Sequence, residues 1–260
     1  MNDLEIQMLG LSRSGNHAIA NWIWLQAKGP KVLLNCCEGK TNPYLSCRPM
    51  EAHLKGWRED GPGLYSGGRD GQHADVGLLM HTYEDSWLRY AFSNALQDQH
   101  DTWLGLTRRK ISLIVLRDPF NLFASRLRAG ETMAPHVLRR MWKQHARTAF
   151  GANGTLPGEV CVVCYNDWTR DPSYRARLAA RLGLTFTDAG ANRVPPTNGG
   201  SSFDGTAFDG DARRMATRDR WRHYVGDPSY RALFDPEMVE MSAKLFGSPP
   251  DWARTSANPT

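Results

Sequence analysis

The sequence predicts an α/β fold, a three-layer sandwich around a central parallel sheet. Three observations lead there. Five short runs rich in Val, Leu and Ile are apolar on both faces, as strands buried inside a parallel sheet must be. Helical patterns follow these runs, the alternation that builds βαβ units. A glycine loop joins the first run to the first helical stretch, at the C-terminal strand edge where such sheets form crevices.

The elements follow in order. Residues 4–10 form the first strand and 16–27 the helix after it. Residues 31–35 (KVLLN) are a second strand, and 76–80 (VGLLM) a third, followed by an amphipathic stretch over 84–96. The fourth strand is 112–116 (SLIVL), with helices over 120–128 and 135–149. The fifth is 160–164 (VCVVC), with a helix over 172–182. Residues 192–210 are rich in Gly, Pro, Ser and Asp, a long loop of the kind that is functional or disordered. Helical patterns return over 211–246, and 248–260, opening with Pro249-Pro250, reads as a C-terminal tail after one domain spanning 1–247. Residues 38–75 read as an irregular, glycine-rich insertion near the ligand.

Composition excludes several classes. With 41% hydrophobic and 23% charged residues, a packed core is expected rather than disorder. A net charge of +5 suits an anionic ligand, but no run of five or six Lys/Arg marks a nucleic-acid stripe. No signal peptide or 18-residue apolar stretch is visible, so no membrane span is expected. Cys36, Cys37, Cys47, Cys161 and Cys164 read as reduced, buried thiols, which fits a cytoplasmic protein. In C-V-V-C the two thiols lie on opposite faces of a strand, against a redox pair or half a zinc site.

Gly10 and Gly15 have the G-x-x-x-x-G spacing of a P-loop between a strand and a helix. Such glycines let backbone N–H groups converge, and the start of the helix favours an anion. The fold is therefore expected to have P-loop-like nucleotide-binding topology. The Lys and Ser/Thr of a nucleoside triphosphatase are replaced by Asn16 and His17, so the hydroxyl that would hold Mg²⁺ is missing. Arg13 supplies a cation inside the loop instead, and Ser14 stands beside it. The loop is expected to grip phosphate without a metal.

After the fourth strand comes L-R-D-P-F-N-L-F-A-S-R-L. Arg117 stands at the strand end, Pro119 starts a helix, and Ser125 lies about two turns along it. Arg and Ser converging on one point make a second phosphate site. Two such sites at adjacent strand ends suit a ligand with phosphates on both sides of a ribose. Here the sequence resembles the cytosolic-type sulfotransferases, which use 3′-phosphoadenosine 5′-phosphosulfate (PAPS). Arg13-Ser14-Gly15-Asn16-His17 stands where that family's 5′-phosphosulfate loop lies, and Arg117, Asp118, Pro119 and Ser125 match its 3′-phosphate motif.

The resemblance implies further roles. Tyr165, in Tyr165-Asn166-Asp167, would reach the adenine. Ser201, Ser202 and Phe203, after Gly199-Gly200, together with Arg213, Arg214 and Arg218, are candidates to close over the nucleotide, although the family's usual closing motif is not present in that form. His81, read as projecting from the third strand's end, would be the general base, with Glu84 as second candidate. His17 could also meet the sulfonate, and Arg13 would stabilise charge on the departing phosphate. The implied reaction moves a sulfuryl group from PAPS to a hydroxyl or amine of a small-molecule, glycan or lipid acceptor, leaving PAP, the 3′,5′-bisphosphate. Two other readings compete: a divergent P-loop kinase, and an inactive nucleotide-binding adaptor. Trp57, Trp87, Trp103 and Trp142 could form an aromatic platform for a sugar or lipid, although aromatics at helical spacing are more often core.

Overall fold

The computed structural model describes residues 1–48, 75–152, 156, 158–196 and 199–255. Five strands form one sheet: β1 (Asn2–Gly10), β2 (Lys31–Leu34), β3 (Leu78–Glu84), β4 (Thr107–Leu116) and β5 (Glu159–Cys164), in the order β2-β3-β1-β4-β5. Every pairing is parallel, so all five strands end at one edge. Gly10 at the end of β1 lies opposite Glu84 of β3 and Val115 of β4. From β1 the chain passes to the outer strand β2 and returns to β3 beside β1, then crosses to β4 and on to β5 on the other side. The reversal of winding, where a crevice opens in such sheets, therefore falls at β1.

Alternation along the strands sorts the core into two faces. Ile6, Met8, Met80 and Leu113 pack against Trp22 and Ile23 of the helix Asn16–Gln26 and Leu178 of the helix Pro172–Leu182. On the other face Leu9, Leu79, Tyr83 and Ile114 meet Leu88, Leu96 and Leu104. A third cluster joins Leu122 and Phe123 to Trp142, Tyr230 and Met238, and holds together the helices Pro119–Arg128, Pro135–Ala149 and Pro236–Phe246. Asp-Pro opens four helices, at Asp118, Asp171, Asp227 and Asp235. In each the Asp carboxylate accepts a backbone N–H two or three residues on, and proline fixes the first helical φ.

Several boundaries differ from the expectation, β4 beginning at Thr107 rather than at residue 112. β3 runs on to Glu84, because Thr82 and Tyr83 stay in register with Met8 and Leu9 and both are buried. The helical stretch expected over 84–96 is instead two helices, Leu88–Ala91 and Asn94–Leu104, the second capped by Ser93. The expected tail contains the helix Asp251–Thr255, whose Ala253 is buried and whose Trp252 meets Phe120 and Phe234 edge-on. No disulfide joins the described cysteines. Among the described residues no helix is long and apolar enough to cross a membrane.

Candidate active site

The loop after β1 is shaped by its backbone. Arg13 (φ 68°) and Gly15 (φ 94°) are both left-handed, and the Ser14 N–H donates to the Leu11 carbonyl (3.0 Å). Such alternation turns successive N–H groups into a concave anion nest. Gly15 is the N-cap of the helix Asn16–Gln26, with no side chain capping it and no acid in its first turn, so its positive end faces the crevice. A Cβ on Gly15 would lie 2.2 Å from the Tyr165 ring, and one on Gly10 2.1 Å from Asn16 Oδ1. Both glycines are thus required by close approach.

Arg117 and Ser125, anticipated as a second phosphate site, lie together. Arg117, buried at the end of β4, donates from Nη1 to Ser125 Oγ (3.2 Å) and to the Arg13 carbonyl (2.9 Å), and from Nη2 to the Thr217 carbonyl (2.7 Å). Its guanidinium also lies 5.2 Å from the Tyr165 ring centroid. Asp118 faces away from this point and works as a cap, accepting from the Asn121 N–H (2.9 Å) and from Asn166 Nδ2 (2.9 Å).

A cavity of about 110 Å³ joins the two sites. Of the residues predicted to bind cofactor, Arg13, Gly15, Asn16, His17, Arg117, Ser125, Tyr165, Ser201 and Ser202 line it. Ser14 is buried behind the loop, and Phe203 stacks outside the lining, 4.6 Å from the Arg220 guanidinium. Arg220 itself lines the cavity, whereas Arg213, Arg214 and Arg218 are exposed and do not. Arg220 is buried, donates to Asp204 Oδ2 (2.6 Å) and to Ser201 Oγ (3.0 Å), and its pKa is pulled down by burial and then by the like charge of Arg117. Arg193 also lines the cavity, tied to Asp209 (2.7 Å). Neither arginine was singled out from the sequence, since each is one of many in an irregular stretch and only folding sets it over β1.

His81 is corrected. Because β3 continues to Glu84, His81 sits mid-strand opposite Gln7, fully buried, and does not line the cavity. Its Nε2 lies 3.1 Å from Glu5 Oε1 and its Nδ1 3.0 Å from the Tyr83 hydroxyl. His100 Nε2 meets the same Glu5 carboxylate at 2.8 Å. Burial pushes the Glu5 pKa up, but hydrogen bonds and charge from His100 and His81 outweigh it and hold the carboxyl below its usual range. His81 is therefore part of a buried structural network.

Glu84 occupies the strand end where His81 was expected. Its Oε1 accepts from Asn16 Nδ2 (2.8 Å), and Asn16 Nδ2 also donates to the Leu11 carbonyl (3.1 Å), so Asn16 ties loop to strand. Beyond Glu84 opens a second chamber of about 700 Å³, and Ser12, Arg13 and Glu84 line both spaces. Arg13 Nε donates to Glu131 Oε1 (2.5 Å), which holds its side chain at this junction. His17, Cys36 and Glu84 each bring one donor atom within 4.8 Å of the others, the grouping a metal ion could use among the described residues. Burial, and then the charge of Glu84, push the Cys36 thiol up to about 12. Of the tryptophans, Trp103 and Trp142 pack in the core, Trp87 lies between Arg89 and Arg140, and Trp57 is outside the described residues.

No protein-family model and no curated protein matches this chain. Solved structures do. The chain is similar to mouse sulfotransferase SULT7A1 complexed with PAP, at 13% identity over 98% of this chain and 89% of that one, with a TM-score of 0.48. It is also similar to the sulfotransferase domain of the Synechococcus PCC 7002 olefin synthase, at 15% identity over 96% of each chain and a TM-score of 0.48. A sugar kinase from Janibacter sp. HTCC2649 matches at 11% identity over 72% of this chain and 98% of that one, with a TM-score of 0.33. Sulfotransferases, the class the two motifs resemble, are thus among the structures this fold is similar to.

Proposed function

We propose that this protein is a sulfotransferase that moves the sulfuryl group of PAPS to a hydroxyl or amine, with Glu84 as the general base. The observation that carries the reading is one cavity joining a capless helix start to a buried Arg117–Ser125 pair, with Arg220 crowding in a second buried cation. Arg220 is paired with Asp204, but Arg117 donates to neutral oxygens and meets no carboxylate among the described residues, so its buried charge suits an anion. Two anion sites on one cavity suit a nucleotide bearing phosphate at both ends.

The chemistry follows from the junction. The acceptor oxygen or nitrogen attacks sulfur while its proton passes to the Glu84 carboxylate. The bond from sulfur to the 5′-phosphate oxygen breaks, and its electron pair leaves with PAP. The loop N–H groups and the helix start would offset that charge, with Arg13, ion-paired to Glu131, lining the cavity beside them. Such transfer relies on positioning and charge balance. Asn16, where a P-loop kinase carries lysine, is spent on tying Leu11 to Glu84, which weighs against phosphoryl transfer from a metal-bound triphosphate.

Calorimetric titration with PAP tests the first half: one equivalent should bind, and chelation of divalent cations should leave that affinity unchanged. Transfer of labelled sulfate from PAPS to pooled acceptors tests the second. A protein that binds ATP with Mg²⁺ and ignores PAP would overturn the proposal.

A further inference from the structure

The chamber beyond Glu84 has an unusual wall. Among the described residues that line it there is no aliphatic or aromatic side chain. Its volume, about 700 Å³, lies within the roughly 300–1,000 Å³ of pockets that hold drug-sized ligands, which ordinarily are mostly apolar. Four carboxylates face it, from Glu38, Glu84, Asp85 and Glu131, against three arginines, Arg13, Arg48 and Arg126.

Two of the arginines are already neutralised. Buried Arg126 forks onto Asp85, at 2.8 Å and 2.9 Å, and its Nη1 lies 3.4 Å from Glu131 Oε2. Arg13 donates to the other oxygen of Glu131, and the Ser12 hydroxyl shares that oxygen at 3.0 Å. The Ser12 N–H donates to Asp85 Oδ1 (3.0 Å), so the phosphate loop and the chamber wall form one network. Among the described residues what remains is Glu38 and Glu84 against the exposed Arg48, an excess of one negative charge.

Each ligand class meets this wall differently. An apolar alcohol would strip water from carboxylates and hydroxyls and give them nothing in return. An anionic acceptor would face the charge excess. A polyhydroxylated molecule can donate to the carboxylate oxygens, and an ammonium group on it would balance the remaining charge.

Building on the sulfotransferase reading, we infer that the acceptor is a polyhydroxylated, amine-bearing molecule of amino-sugar type, seated in this chamber with one hydroxyl or amine at Glu84.

Binding decides it apart from turnover. Glucosamine trisaccharide, maltotriose, trigalacturonate and naphthol are titrated into the protein with and without PAP. The glucosamine trimer should bind most tightly and maltotriose more weakly, with naphthol and trigalacturonate weaker by about 10²-fold or more. Thr132→Trp, at an exposed position that lines this chamber and not the nucleotide cavity, should weaken saccharide binding about tenfold and leave PAP affinity unchanged. Glu38→Gln should cost the glucosamine trimer a few-fold and maltotriose nothing. Naphthol or trigalacturonate binding as tightly as the glucosamine trimer overturns the inference, as does the absence of saccharide binding to the wild type. Failure of PAP to bind would overturn the sulfotransferase reading instead, and the nucleotide-free titrations would still report on the chamber.

Discussion

Arg117 shows how much one side chain can organise. Its forked head reaches Ser125, the Arg13 carbonyl and the Thr217 carbonyl together, linking β4, the phosphate loop and the segment above them. Lysine cannot span those three acceptors. Arg117→Lys should therefore weaken PAP binding by about tenfold or more, and Arg117→Ala by more still, read by calorimetry. Glu84→Gln keeps the amide contact to Asn16 available but removes the proton acceptor, so kcat should fall by about 10² to 10⁴ with PAP affinity nearly intact. Wild-type turnover in Glu84→Gln would rule the base out. The same carboxylate, after burial, holds the Cys36 thiol up near 12 against the opposing charge of Arg48. Alkylation of Cys36 at pH 8 should thus be slow in the wild type and faster in Glu84→Gln, since the thiolate is the reactive form.

At the scale of elements, the loop and the segment above it answer different questions. The loop is rigid by construction: Gly15 is left-handed and packed on Tyr165. Gly15→Ala should destabilise the fold by about 1–3 kcal/mol in urea unfolding and abolish PAP binding, because strain and overlap act together. The covering segment is built otherwise. Between Arg193 and Arg220 the described chain is short turns, a Ser201–Gly205 bridge and one 3-10 turn, held by Asp204 and Asp209 contacts. The cavity beneath it, about 110 Å³, is below the roughly 300–1,000 Å³ of pockets that hold drug-sized ligands. On the proposed function, a nucleotide would displace this cover and then be closed in by it. Hydrogen exchange should show its amides slowing on PAP addition; unchanged exchange there would argue for a site elsewhere. The strand–loop–helix was legible because its glycine spacing is local. The cover was legible only as a long loop, because nothing in its composition says which arginine folds inward.

For the whole molecule, stability and activity are separated by the sheet. The proposed nucleotide crevice lies at the strand ends, while Glu5, His81 and His100 are buried among the strands and the helix Asn94–Leu104. Burial alone would push the His100 pKa down, but Glu5 and Asp101 outweigh it and raise it above 6.5. Glu5 is held below its usual 4.5. The sign follows for each. The Glu5 contribution is present above 4.5 and is lost as pH falls further; that of His100 is full below 6.5 and is lost as pH rises through its raised folded value. The urea midpoint should therefore peak between these limits, and Glu5→Gln should flatten both limbs. His81→Ala should lower the midpoint in proportion to this network while any folded enzyme keeps the wild-type pH profile of turnover. The parallel sheet, the phosphate loop and the Arg117–Ser125 pairing were determined by the sequence itself, because strand burial, glycine spacing and helix periodicity are local properties. Which residue stands at the end of β3 was not. The apolar run stops at Met80, and only its parallel pairing with β1 carries the strand on to Glu84. That register buries His81 and delivers Glu84 to the crevice, so the choice between the two belongs to the tertiary structure.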